Sequence, residues 1–177
     1  MRAFKFPLLA ALLMAAALSA GCGYSTESPF RQDVATVAVP MWTRGPNLYR
    51  RELETRLTEA IVKRIELDTP YKVVSKDRAD TELRGMIKKV DQRVLSKNPD
   101  TGRARELEAT FIVEFTWKDL RSGKDLVTRK DFRVAANYIP ESPLAETFFD
   151  GSEDAINRLA KRIVETMEAD WPEEEGL

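Results

Sequence analysis

The chain of 177 residues holds one thiol, Cys22, and its surroundings define the chemistry open to it. Arg2 and Lys5 make a short basic start, and Leu8 through Leu18 is an uncharged apolar run. The small residues Ser19, Ala20 and Gly21 then lead straight into the cysteine. Basic, apolar and small regions in that order form an export signal. The apolar run falls short of the roughly 20 residues that cross a bilayer. A cysteine directly after the small residues predicts lipoprotein processing. Residues 1–21 would be removed, and Cys22 would carry a thioether diacylglycerol and an N-acyl chain as the new N-terminus. Each buried methylene contributes about 0.8 kcal/mol, so two or more chains hold a domain firmly at a membrane surface. Gly23 stands where the sorting rule of enteric bacteria places Asp for retention at the inner membrane, so the expected location is the outer membrane.

The rest of the composition excludes most catalysis. There is no histidine, and the one cysteine is assigned to acylation. Common zinc sites and Cys–His or Ser–His–Asp catalysis need those side chains. Asp and Glu are scattered over polar faces, and the glycines are isolated, so no phosphate-cradling loop is present. No enzyme, metal or other cofactor is expected. Loss of Arg2 and Lys5 with the signal takes Lys plus Arg from 28 to 26 against 29 acidic residues, a net charge near −3. That balance makes no basic field for nucleic acid.

The elements that would carry an anchored domain follow from periodicity. Residues 22–32, with Gly, Ser, Thr and Pro, read as a tether. Val34 to Val39 reads as a buried strand ended by Pro40, and Met41 to Pro46 as a turn. Asn47 is placed to cap a helix with Leu48, Leu53, Leu57, Ala60, Ile61 and Ile65 on its inner stripe. Glu52 with Arg56, and Glu59 with Lys63, stand four apart on its outer side. Tyr71 to Val74 is a short strand. Leu83, Gly85 and Ile87 open another that continues toward Val94 and Leu95, and 96–103 is a polar loop. Leu107, Ala109, Phe111, Val113, Phe115 and Trp117 alternate with Glu106, Glu108, Thr110, Glu114, Thr116 and Lys118, which argues for one covered and one wet sheet face. Phe132, Val134 and Ala136 form its hairpin partner. Ala145 to Met167 reads as a second helix, kinked or divided at Gly151 and Ser152, and 172–177 as an acidic tail. The expected fold is α+β: a single mixed or antiparallel sheet of four to five strands with two long helices packed on one face, in the order β-α-β-β-β-β-α. Residues 33–171 form one domain.

Three stretches resemble the lipopolysaccharide-assembly lipoprotein family LptE. They are Cys22-Gly23-Tyr24, Leu53-Glu54-Thr55-Arg56-Leu57-Thr58-Glu59-Ala60, and Ala79-Asp80-Thr81-Glu82-Leu83-Arg84-Gly85-Met86-Ile87, joined by the Val34 to Pro40 strand. Met41-Trp42 departs from the Phe-containing turn expected there. The resemblance implies a lipid-anchored protein lodged inside an outer-membrane β-barrel, the LptD translocon, facing the periplasm or the barrel lumen. It would act there as a plug that helps insert lipopolysaccharide into the outer leaflet, with no covalent chemistry of its own.

A phosphate-rich headgroup requires cations near apolar surface. Lys88, Lys89, Arg93 and Lys97 lie along one strand and its loop, with Arg103 and Arg105 across that loop, and these six are the candidate lipopolysaccharide-binding residues. Lysines on an exposed strand edge also guard against unwanted pairing. A second functional reading keeps the anchor: a regulator of a cell-wall synthase, or a subunit of a secretion pore.

Overall fold

The computed structural model describes residues 28–46, 48, 50–140 and 147–168. The signal, Cys22, the first part of the tether, Asn47, Ala145 and the acidic tail lie outside the described residues. The elements are β1 (Thr36–Ala38), β2 (Thr43–Arg44), α1 (Leu53–Asp68), β3 (Lys72–Val73), a 3-10 turn (Lys76–Arg78), β4 (Thr81–Lys97), β5 (Ala104–Asp119), β6 (Asp125–Tyr138) and α2 (Phe148–Glu165). One sheet runs β3-β1-β4-β5-β6, with β2 also on β4. β1 and β2 lie parallel to β4 along the same edge, and β4, β5 and β6 form an antiparallel meander. The α+β class stands, with six strands where four to five were expected. The extra strand is β2, inside the expected turn, and its Thr43 and Arg44 pair with Met86 and Ile87.

The alternation in β5 decides the layering. Ala109, Phe111, Val113, Phe115 and Trp117 are buried, and both helices cover that face. From α1 come Leu53, Leu57, Ile61 and Ile65, all fully buried at i, i+4 spacing; from α2 come Ile156, Leu159, Ile163 and Val164. Fully burying such a side chain contributes about 1.5–3 kcal/mol. Trp42 fills the core over Gly85, where a Cβ would press into its indole ring.

Helix α1 begins at Leu53, later than the expected first turn at Leu48. Gly45 donates to the Ile87 carbonyl at 2.8 Å, and Leu48 donates back to the Gly45 carbonyl at 3.1 Å and is buried. The chain must turn off the sheet before it can coil, and Glu52 makes that turn at φ 74° with no side-chain cap. The expected pairs Glu52–Arg56 and Glu59–Lys63 do not form. Arg64 meets Asp68 at 3.3 Å, and the Arg56 guanidinium lies 5.2 Å from the Phe149 ring centroid. In α2, Gly151 and Ser152 do not divide the helix; both are buried within it. Gly151 faces the Tyr138 ring, which leaves no room for a Cβ. Thr147 caps this helix, with Asp150 returning the bond to the Thr147 backbone.

A bulge at Lys88 shifts the β4 register: Ile87 pairs with Val113, but Lys89 pairs with Ile112. One inserted residue exchanges the faces, so Leu83, Gly85 and Ile87 share the core side with Val90, Gln92 and Val94.

Asp80 closes the near end of the sheet. Its Oδ2 accepts from the Ala35 and Thr36 amides at 3.0 Å and from the Thr36 hydroxyl at 2.9 Å. The Ala35 amide and then the Thr36 hydroxyl hold the carboxyl below the usual carboxylate range. Such a group stabilises fully above its unfolded pKa, near ~3.9, and the contribution is lost as pH falls through the lower folded value. We expect Asp80→Asn to cost about 1–3 kcal/mol at neutral pH. The gap from the parent protein should shrink in urea titrations below about pH 4. Gly151→Ala should destabilise by about 1–3 kcal/mol through overpacking, read as a lowered melting temperature.

Candidate functional site: the distal hairpin

β4 and β5 run past the rest of the sheet. β6 ends at Tyr138 opposite Leu107, while β4 and β5 continue through Ser96 with Glu106 and Lys97 with Ala104. The turn is closed by Asn98 donating to the Arg103 carbonyl and Gly102 donating to the Asn98 carbonyl, both at 2.8 Å. The Asn98 side chain accepts from the Asp100 amide at 2.9 Å and the Thr101 amide at 3.2 Å. Gly102 takes φ +69°, a left-handed conformation open to glycine without strain.

A polar and aromatic clasp fixes the base of this projection to the helix layer. Gln92 donates through Nε2 to the Tyr138 hydroxyl and accepts from Arg50 Nη2 at 2.6 Å. The Arg50 guanidinium also lies 3.6 Å from the centroid of Phe148, which stands edge-on to Tyr138. Sequence reading missed Arg50, Gln92 and Tyr138. Tyr138 lies 46 residues from Gln92, and no local pattern links the two.

The six candidate cations divide into two groups. Lys88 reaches Asp131 at 2.9 Å and Glu114 at 3.8 Å, Lys89 reaches Asp91 at 2.6 Å, and Arg93 reaches Glu108 at 3.0 Å. The hydrogen bond to Asp131 raises the Lys88 pKa, and the same bond lowers that of Asp131. These three are engaged within the sheet. Lys97, Arg103 and Arg105 are exposed and form no ion pair among the described residues. They bracket the tip of the hairpin. Beside them Val94 is 45% exposed, Leu95 39% and Ile139 40%, so the tip offers unpaired cations next to apolar side chains.

The arrangement suits binding of an anion attached to an apolar body. Among the described residues there is no group of three His, Cys, Asp or Glu that could hold a metal ion. No helix among the described residues is long and apolar enough to cross a membrane.

The tether enters at the opposite end. Phe30 stacks edge-on against Tyr71 with centroids 5.8 Å apart, and Arg31 donates its amide to the Tyr71 hydroxyl at 3.0 Å. Tyr71 in turn lies 6.0 Å from Trp117, near the start of β4. At about 3.3 Å per residue, the 17 residues of β4 set the tip roughly 50 Å from this end.

The fold is shared with two solved structures of low sequence similarity. A Xanthomonas campestris protein of the DUF330 family aligns with TM-score 0.57 and 13% identity over 80% of this chain and 88% of its own. The PelC dodecamer of Paraburkholderia phytofirmans aligns with TM-score 0.52 and 13% identity over 81% and 96%. Rare lipoprotein B of Shewanella oneidensis aligns with TM-score 0.46 and 20% identity over 75% and 92%. No curated protein matches the chain. The model of one family, described as LptE, lipopolysaccharide-assembly, matches residues 34–170, from β1 to beyond the end of α2. The chain therefore belongs to the LptE family of lipopolysaccharide-assembly lipoproteins.

Proposed function

We propose that this protein is an outer-membrane lipoprotein, acylated at Cys22, that seats in an LptD-type β-barrel and helps pass lipopolysaccharide to the outer leaflet. It performs no covalent chemistry; its work is occupancy of the barrel and binding. The observation that carries this reading is the opposition of the two ends. Six residue steps separate Cys22 from Ser28, a reach of about 20 Å at most, so the acyl chains would hold the Phe30 end close to the membrane. The tip then stands roughly 50 Å away. A bilayer with its headgroups is about 40–45 Å thick. A domain tied at one end, with a cationic and apolar tip at the other, has the length to reach through a barrel to the far leaflet.

Within the six candidate residues, Lys97, Arg103 and Arg105 are the ones proposed to meet lipopolysaccharide phosphates. Lys88, Lys89 and Arg93 are proposed to support the sheet that holds them. Lys97→Ala with Arg103→Ala and Arg105→Ala should weaken lipopolysaccharide binding by about tenfold, since each exposed pair contributes about 0.2–1 kcal/mol. Lys88→Ala with Lys89→Ala should leave it within about twofold. The reverse pattern would remove the tip from the reading.

The likeness to the dodecameric PelC favours one alternative, a ring-forming pore subunit. Affinity purification of the acylated protein from detergent-solubilised outer membranes separates the readings. A large β-barrel in near-equal amount is the expected result. A cell-wall synthase, or a ring of this chain alone, would overturn it.

A further inference from the structure

The wet face of the sheet carries a second feature, away from the hairpin tip. β1 ends at Ala38 and β2 starts at Thr43, so the intervening chain leaves the β4 edge. Trp42 turns into the core, while Met41 is left 57% exposed. The gap opens a groove of about 760 Å³ across the wet face, reaching from Pro40 and Met41 over Met86 to Lys130. That volume lies within the 300–1,000 Å³ of small-molecule sites.

The groove has two chemically distinct parts. Pro40, Met41 and Met86 give one apolar wall. Arg84, Thr116 and Thr128 lie in one row across three strands, since Arg84 pairs with Thr116 and Thr116 with Thr128. Arg129 and Lys130 adjoin that row where the β5–β6 register slips between Phe115 and Val113. Arg84 and Lys130 form no ion pair among the described residues, and the Arg129 guanidinium donates only to the Thr128 carbonyl at 3.3 Å. This contrasts with Lys88, two rows away, which is ion-paired to Asp131 and Glu114. Glu114, the one carboxylate lining the groove, is thereby partly offset at 3.8 Å.

We propose that this groove binds an anionic lipid, with one acyl chain along Met41 and Met86 and a phosphate or carboxylate headgroup over Thr116. Arg84, Lys130 and the Thr116 and Thr128 hydroxyls supply the donors for the headgroup. Guanidinium and ammonium groups make charge-assisted bonds to such oxygens. Methionine is a flexible, polarisable side chain that moulds to an irregular apolar surface. A single apolar wall takes one chain, so the site differs from the tip in ligand size as well as position. It does not rest on the barrel partnership or on the tip cations.

The test uses the mature chain from residue 22 with Cys22→Ser, which removes acylation and leaves every described residue in place. Dodecyl phosphate, kept below its micelle concentration, is titrated by calorimetry, beside inorganic phosphate and dodecyl maltoside. The expected result is one saturable site for dodecyl phosphate, with the two other probes at least about tenfold weaker. Arg84→Gln with Lys130→Gln should weaken dodecyl phosphate by about tenfold or more. Met41→Ser should weaken dodecyl phosphate and leave inorganic phosphate unchanged, and Lys161→Ala, at an exposed cation of α2 away from the groove, should change neither. Equal binding of inorganic phosphate would reduce the groove to an anion site, and equal binding of dodecyl maltoside would reduce it to an apolar one; either overturns the lipid proposal. So does absence of saturable binding, or binding left unchanged by Arg84→Gln with Lys130→Gln. Unchanged melting temperatures of the variants show that the fold is intact.

Discussion

The covered face of β5 is the constraint from which the rest of this molecule follows. Ala109, Phe111, Val113, Phe115 and Trp117 present a continuous apolar stripe that water disfavours along its whole length. Two amphipathic helices cover it, and they also pack against each other. The layer is close enough that two glycines become obligatory contacts: Gly85 lies under the Trp42 indole, and Gly151 receives the Tyr138 ring. A side chain at either place would separate elements that must touch.

The opposite face is governed by charge. Where cations and carboxylates alternate, they pair: Lys88 with Asp131, Lys89 with Asp91, Arg93 with Glu108. Exposed pairs of this kind add little stability, about 0–1 kcal/mol each. Their value is that they leave a defined remainder. Cations without carboxylate partners among the described residues include those at the hairpin tip and those along the groove by Met41, and both places also carry exposed apolar side chains.

The same sheet also separates the two ends of the protein. Asp80, Arg121 and the Phe30–Tyr71 contact gather the tether and the short parallel strands at one end. Arg121 adds to this by donating through Nη2 to the Asp33 carbonyl at 2.6 Å. At the other end β4 and β5 are the strands that continue among the described residues, held by the Gln92–Tyr138–Arg50 clasp. Rigidity is thus supplied where the strands leave the helices, and the tip is presented by a hydrogen-bonded ladder and not by a free loop.

Much of this was legible in the sequence because it depends on local periodicity. The alternation from Leu107 to Trp117, the stripes of both helices and the polar loop at 96–103 are patterns shorter than one element. They fixed the α+β class, the strand meander and the helix-covered face. The expectation of an export signal and of acylation at Cys22 rests on residue order alone. Tertiary structure decided what depends on residues far apart. It converted Thr43 and Arg44 from turn to strand, because the β4 edge offered unpaired backbone groups. It delayed α1 to Leu53, because Gly45 and Leu48 are tied to the sheet first. It sorted six similar cations into three engaged and three unpaired: Asp131 on β6 and Glu108 on β5 claim Lys88 and Arg93 across the sheet, while Asp91 claims Lys89 from two residues along β4. A sequence records which charges exist, but register across strands determines which of them remain available.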